Sequence, residues 1–177
     1  GFAKLLQNDD LTPEQRQTYT KTVEQQYERL AAMSTHILEL AQYENTEIVS
    51  GKTLYSLDEQ LRRCVRQQER DWLQKGLTVE GDLDQVDYYG NEELVEHIWS
   101  NLLSNAIRFT PSGGQITVVL RQSEGEITVS VSDTGIGMDE ETQRHIFEKF
   151  YRAAPYPDSR GNGLGLSIVR RVVALCG

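Results

Sequence analysis

The sequence predicts an α+β chain: a helical hairpin, half of a dimeric four-helix bundle, followed by an α/β sandwich with a mixed sheet. Three observations lead there. Val23, Leu30 and Ile37 recur every seven residues, interleaved with Met33 and Leu40, a seam that packs helix against helix. Beyond residue 50 the pattern changes to short strand runs alternating with helical ones. In EITVSVSDTGIGM, Ile127, Val129 and Val131 alternate with Thr128, Ser130 and Ser132, and Asp133 falls on the apolar phase, so an acid ends the inward face of a strand. The division is read as 1–47 for the hairpin and 48–177 for the sandwich.

The elements follow in order. Phe2, Leu5 and Leu6 form the apolar face of a helix end that Asn8, Asp9 and Asp10 break. Thr12 as N-cap, Pro13 at the first helical position and Gln15 completing a capping box open a helix that runs to about Tyr43. ENTEIVSGK reads as a linker and TLYSL as a short strand; a helix spans about 57–74. LTVEGDL and VDYYG read as strands. Asn91 caps the next helix, with Glu92 and Glu93 in its first turn, and that helix reaches about Arg108. GQITVVLRQ and EITVSVSD form a hairpin around Glu124 and Gly125. DEETQRHIFEKF gives a short helix anchored to the core by Phe147 and Phe150, AAPYPDSRGN a long loop, and the last helix begins near Gly163.

Composition narrows the function. Acidic residues outnumber basic ones, 27 to 18, for a formal charge of −9, which argues against nucleic acid as the main partner. Backbone amides and a metal can still hold a nucleotide. Cys64 and Cys176 form no CxxC pair and read as free thiols in a reducing compartment. No apolar run approaches a membrane span, and no signal peptide is recognised.

Chemistry is concentrated in four segments. Asp133, followed at once by Gly135 and Gly137, offers an inward carboxylate beside a backbone that can approach a ligand closely, suited to reading an amino group such as that of adenine. Alone, it could equally be an aspartate ending a strand at a tight turn. In HIWSNLLSNAIRF, helical spacing gathers His97, Asn101, Asn105 and Arg108 into one quadrant of a mostly apolar helix. Neutral amide oxygens suit Mg²⁺ with phosphate co-ligands; a helix-to-sheet hydrogen-bond network is the other reading. In RGNGLGLSIV, Gly161, Gly163 and Gly165 precede an apolar helix whose N-terminus can face phosphate. In IFEKFYR, Lys149 and Arg152 can reach an anion, or else form a solvated basic patch.

Taken in order, NLLSNA, DTGIGM, FEKFYR and GNGLGL closely resemble the N, G1, F and G2 boxes of sensor histidine kinases. That family shares its ATP-binding fold, the GHKL ATPase type, with gyrase, the MutL mismatch-repair ATPases and the heat-shock chaperone ATPase. GFAKLLQ and HILELAQYE resemble the ends of the family's two dimerisation helices. The resemblance implies a kinase that moves the γ-phosphate of ATP to a histidine and then to a response-regulator aspartate. It implies ATP and Mg²⁺ as cofactors, a receiver domain as partner, and a homodimer through the N-terminal hairpin. It also implies a cytoplasmic piece, compatible with a parent in the bacterial cell membrane.

By the same resemblance, Asp133 holds the adenine amino group, and Asn105 with Asn101 coordinates Mg²⁺. Arg108, where the family often has lysine, touches phosphate. Gly135, Gly137, Gly161, Gly163, Leu164 and Gly165 frame the ATP lid. Lys149 stands beside the phosphates, and Arg152 meets the γ-phosphate at transfer, with Asn101 the second residue assigned to catalysis. The family's phosphoacceptor H box is absent, and His36, followed by Ile37 and Leu38, does not replace it. The resemblance places the acceptor upstream of Gly1 and a final β-hairpin beyond Gly177, and predicts that this piece alone does not autophosphorylate. Two rivals are a nucleotide-binding regulatory or scaffold module without phosphotransfer, and an ATP-hydrolysing clamp of the gyrase type. The clamp group uses a glutamate base where Asn101 stands here.

Overall fold

The computed structural model describes residues 2–8, 10–44, 49–153 and 163–176. A short helix, α1 (Phe2–Leu5), is followed by the long α2 (Pro13–Glu44). The capping box forms as the sequence implies: Gln15 N donates to Thr12 Oγ1 at 3.2 Å and Thr12 N to Gln15 Oε1 at 3.1 Å. Arg16 ties the two helices, its guanidinium donating to the carbonyls of Leu6 and Asn8. The seam of α2 is left open over part of its length: Leu30 is 65% exposed and Ile37 42%.

Beyond the hairpin lie β1 (Thr53–Ser56), α3 (Leu57–Gln67), α4 (Glu69–Gln74), β2 (Thr78–Leu83), β3 (Asp87–Gly90) and α5 (Glu92–Phe109). They are followed by β4 (Gln115–Ser123), β5 (Glu126–Asp133), α6 (Glu140–His145) and α7 (Gly165–Cys176). β1 pairs antiparallel with β3. A second sheet has the order β2-β4-β5, parallel between β2 and β4 and antiparallel between β4 and β5. The mixed sheet is therefore present as expected. The β4–β5 turn has positive φ at both Glu124 (53°) and Gly125 (88°), the geometry that matches strand twist in a two-residue hairpin.

Ile116, Val118 and Leu120 of β4 are fully or almost fully buried; Val118 and Leu120 pack with Leu61, Leu103, Ile168 and Val172 from α3, α5 and α7, and Ile116 with Leu77, Ala106 and Ile107 in a second cluster. One layer of helices therefore covers one face of the sheet. Tyr43, near the end of α2, joins this core, and its carbonyl accepts from Arg171 Nε of α7 at 3.0 Å. A buried amide links α3 to α5: Gln60 Nε2 donates to Glu92 O at 2.7 Å, and Gln60 Oε1 accepts from Trp99 Nε1 at 3.0 Å. Both ends of the amide are satisfied, as burial demands. Cys64 is buried, and desolvation pushes its thiol up to about 12, which makes it inert at neutral pH. No helix among the described residues is long and apolar enough to cross a membrane.

Three expectations need correction. The helix read over 57–74 is two helices, interrupted at Gln68 (φ −99°, ψ 11°). The break lets α4 turn so that Trp72 packs on the cluster of Leu77, Ala106, Ile107 and Ile116. The helix read over 139–150 ends at His145, and Phe147 and Phe150 do not anchor it in the core; they are 38% and 56% exposed. The last helix starts at Gly165, two residues later than read.

Asp58, at the start of α3, is 4% exposed. Its carboxylate accepts from Ser56 Oγ at 2.7 Å, and this bond, assisted by backbone N–H groups and Arg62, holds it below the ordinary carboxylate value of 3.8. Because the folded value lies below the unfolded one, the stabilisation is complete above the ordinary carboxylate range and is lost as pH falls through the folded value. Asp58→Asn is expected to cost about 1–3 kcal/mol at neutral pH. Urea unfolding of both proteins at decreasing pH should show that difference shrinking in acid.

Candidate nucleotide site

The site is organised along the C-terminal half of α5. Leu94, Val95, Ile98, Leu103, Ala106 and Ile107 are buried, which leaves His97, Asn101, Asn105 and Arg108 as a half-buried polar stripe. Asn91 caps the helix, accepting from Leu94 N at 2.8 Å. His97 packs edge-on against Tyr43 with ring centroids 5.8 Å apart. Asn101 Nδ2 donates to His97 O at 2.8 Å. That bond aims Asn101 Oδ1 at the N-terminus of α7, where a β-carbon on Gly165 would lie 2.6 Å from it. A side chain at this position would displace the Asn101 amide from that orientation.

A second glycine meets α5 one helical turn beyond Asn105. A β-carbon on Gly135 would lie 2.8 Å from the Phe109 carbonyl oxygen, and Ile136 N donates to that oxygen at 3.4 Å. Asn105 is therefore flanked by two glycine contacts, each about 6 Å away along the helix axis. Its amide is half-buried and engaged by no side-chain hydrogen bond among the described residues. The donor chemistry fits a hard cation with phosphate oxygens completing its shell. Among the described residues there is no cluster of His, Cys, Asp and Glu that could hold a metal by itself. Arg108 closes the stripe with its guanidinium 4.9 Å from the Phe109 ring centroid, a cation–π stack that fixes where the charge sits.

Asp133 stands opposite Ile116 in the β4–β5 register, so it does share the apolar face, as its phase predicted. It is nevertheless exposed, not buried. The register explains the face; the strand end explains the exposure, because the chain turns away at Thr134 and Gly135. Thr134 N returns to Gln115 O at 3.0 Å, and Asp133 Oδ1 accepts from Gly135 N at 2.8 Å. The carboxylate thus orders its own turn and keeps its second oxygen at the surface. Gly137 takes φ 68° with open space around it.

On the other side, Phe150 and Gly163 come together. Phe150 N donates to Gly163 O at 2.9 Å, and both residues adopt positive φ, 63° and 73°. A β-carbon on Gly163 would lie 2.7 Å from backbone atoms of Phe150 and Tyr151. Asp139 caps α6, accepting from Thr142 N at 2.7 Å, and His145 pairs with Glu148 at 2.8 Å while its ring lies 5.5 Å from that of Tyr151. Lys149 and Arg152 are exposed beside this junction. Gly161 lies outside the described residues. Leu164 does not line the site: it is fully buried in the core and anchors the start of α7.

The residue that sequence reasoning missed is Lys75. Its ammonium donates to the carbonyls of Ile107 and Arg108, both at 2.7 Å. The only local signal was a lysine followed by Gly76 (φ 67°) at a helix end.

Residues 90–177 match the family model described as histidine kinase-, DNA gyrase B-, and HSP90-like ATPase. The heme sensor protein HssS of Staphylococcus saprophyticus is 30% identical over 164 residues, covering 93% of this chain and 35% of that protein. The chain thus spans about a third of the length of the curated relatives it matches. Among solved structures, full-length ShkA in complex with AMPPNP superposes with a TM-score of 0.76 at 27% identity, over 98% of this chain and 36% of that one. The mycobacterial sensor histidine kinase MprB superposes with a TM-score of 0.61 at 27% identity, over 70% of this chain and 79% of that one. Residues 90–177 are thus similar in sequence to the histidine kinase-, DNA gyrase B- and HSP90-like ATPases, and the chain as a whole resembles the ATP-binding catalytic part of sensor histidine kinases.

Proposed function

We propose that the parent protein transfers the γ-phosphate of ATP to a histidine nitrogen of its own dimerisation helices, and from there to an aspartate of a response-regulator receiver domain. The observation that carries the reading is the placement of Asn105, an uncommitted half-buried amide midway between two glycine turns on one helix. That frame suits a flat base at one end and a polyphosphate along the stripe. In this reading Asp133 accepts from the adenine amino group with the oxygen left at the surface, and Gly135 and Gly137 let the backbone pass close to the base. Asn105, with Asn101 Oδ1, would supply neutral oxygens to Mg²⁺, whose charge would offset that of the phosphates. Arg108 adds a fixed positive charge. Gly165 opens α7 towards the phosphates, where the helix N-terminus favours anions. Lys149 and Arg152 lie at the base of the lid, and Arg152 stabilises charge on the γ-phosphoryl group as it moves.

The division into a dimerisation hairpin over 1–47 and a catalytic unit over 48–177 belongs to the same reading. It is supported by the exposed Leu30 and Ile37 seam, which matches the pattern that associates helices. The piece is read as cytoplasmic, with a membrane-anchored parent. ShkA, bound to AMPPNP in its structure, supports a nucleotide in the corresponding place here.

Binding of Mg-ATP to the chain by titration calorimetry tests the reading directly; no heat from folded protein would remove it. Asp133→Asn is expected to weaken Mg-ATP about tenfold or more, the cost of losing a charge-assisted hydrogen bond, with the far-UV circular dichroism unchanged. Asn105→Ala should lower affinity more in magnesium than in chelator, and equal losses in both would point to a structural amide. Gly163→Ala forces a side chain into positive φ against the Phe150 backbone; a drop of about 2–4 °C in Tm should accompany weaker nucleotide binding, read in one thermal-shift series with and without Mg-ATP.

A further inference from the structure

We infer that Lys75 is a positioning residue for the nucleotide, acting through the last turn of α5. The inference rests on the nucleotide reading above and adds a residue that lies outside the four motifs. An α-helix leaves its last four carbonyls without intrahelical donors, and they carry the negative end of the helix dipole. In α5 these belong to residues 106–109, and each has a donor. Ala106 O accepts from Thr110 N at 3.1 Å and from Thr110 Oγ1 at 2.6 Å. Ile107 O and Arg108 O both accept from Lys75 Nζ at 2.7 Å. Phe109 O accepts from Ile136 N at 3.4 Å. The weakest of these bonds carries the DTGIG turn, and the two short, charge-assisted ones come from Lys75.

This arrangement makes Lys75 the fixed point from which the turn is hung. Lys75 is the C-cap of α4 and is itself half-buried. Gly135 approaches the Phe109 carbonyl too closely for any β-carbon, so a shift of that carbonyl must move the turn as well. Gly135 N in turn holds Asp133 Oδ1 at 2.8 Å. One ammonium thereby controls both the carboxylate assigned to adenine and the backbone from which Arg108 projects. Without it, two half-buried carbonyls lose a cationic donor, the last turn of α5 frays, and the two ends of the site lose their common reference.

The test uses the full chain with Lys75→Met and Lys75→Arg. Lys75→Met is expected to weaken binding of ATP and ADP alike by about tenfold, the effect of one lost charge-assisted hydrogen bond. Lys75→Arg, whose guanidinium can donate to both carbonyls, should return affinity to within about threefold. Hydrogen exchange without nucleotide should show faster exchange at the Ile136 amide in Lys75→Met, with the amides of β4 as protected as before. Affinity and exchange both unchanged in Lys75→Met would overturn the inference. So would protection lost equally in β4, because that marks general destabilisation, and so would failure of Lys75→Arg to restore binding. If the unsubstituted chain binds no nucleotide, the functional reading falls and takes the inference with it, and the exchange result then states separately whether Lys75 holds the turn.

Discussion

The closeness with which two turns approach α5 governs this molecule: Gly135 lies against the Phe109 backbone, where no β-carbon fits, and Gly165 lies against the Asn101 amide, which a β-carbon would displace. One turn seats against the Phe109 carbonyl, the other against the Asn101 amide. Asp133, Asn101, Asn105 and Arg108 are all placed relative to one of these contacts. A single added carbon at Gly135 would push the turn away from the Phe109 backbone, and one at Gly165 would displace the Asn101 amide. The polar stripe would then face a gap of another width.

α5 has to satisfy two demands with one surface. Its apolar side joins Leu61, Ile168 and Leu120 in a core that needs no polar partner. Its other side holds amides and an arginine that would be costly to bury unpaired. The helix meets both by staying half-covered on the polar side and by fixing its first turn with Asn91, Gln60 and Arg63, the last paired with Glu92. Stability therefore comes from the apolar face and the capped first turn, while the polar face is free to carry groups chosen for chemistry.

Local rules made much of this legible. The Thr12–Gln15 capping box, the Asn91 cap and the Glu124–Gly125 turn all depend on residues within three positions of one another, and all are found as read. Strand phase assigned Asp133 to the correct face. Phase says nothing about what covers a strand end, which is why its exposure was not foreseen. The same limit applies to Phe147 and Phe150: aromatic residues at helical spacing suggest a core face, but the helix stops at His145 before that face can form. Leu164 read as part of a glycine loop and is in fact a core residue, since loop composition carries no burial signal. Lys75 was invisible for a different reason: the carbonyls it serves are 32 and 33 residues away, and no local pattern encodes a partner at that distance.

The hydrogen bond between Phe150 and Gly163 pins together two chain positions thirteen residues apart. With the stalks of the intervening stretch already joined, the entropy of bringing them together is met by the fold rather than by the ligand. Lengthening such a stretch is cheap, about 0.6 kcal/mol for each doubling. The length and composition of the sequence between Phe150 and Gly163 are thus uncoupled from the architecture beneath, so evolution can change both while the residues of α5 stay where they are.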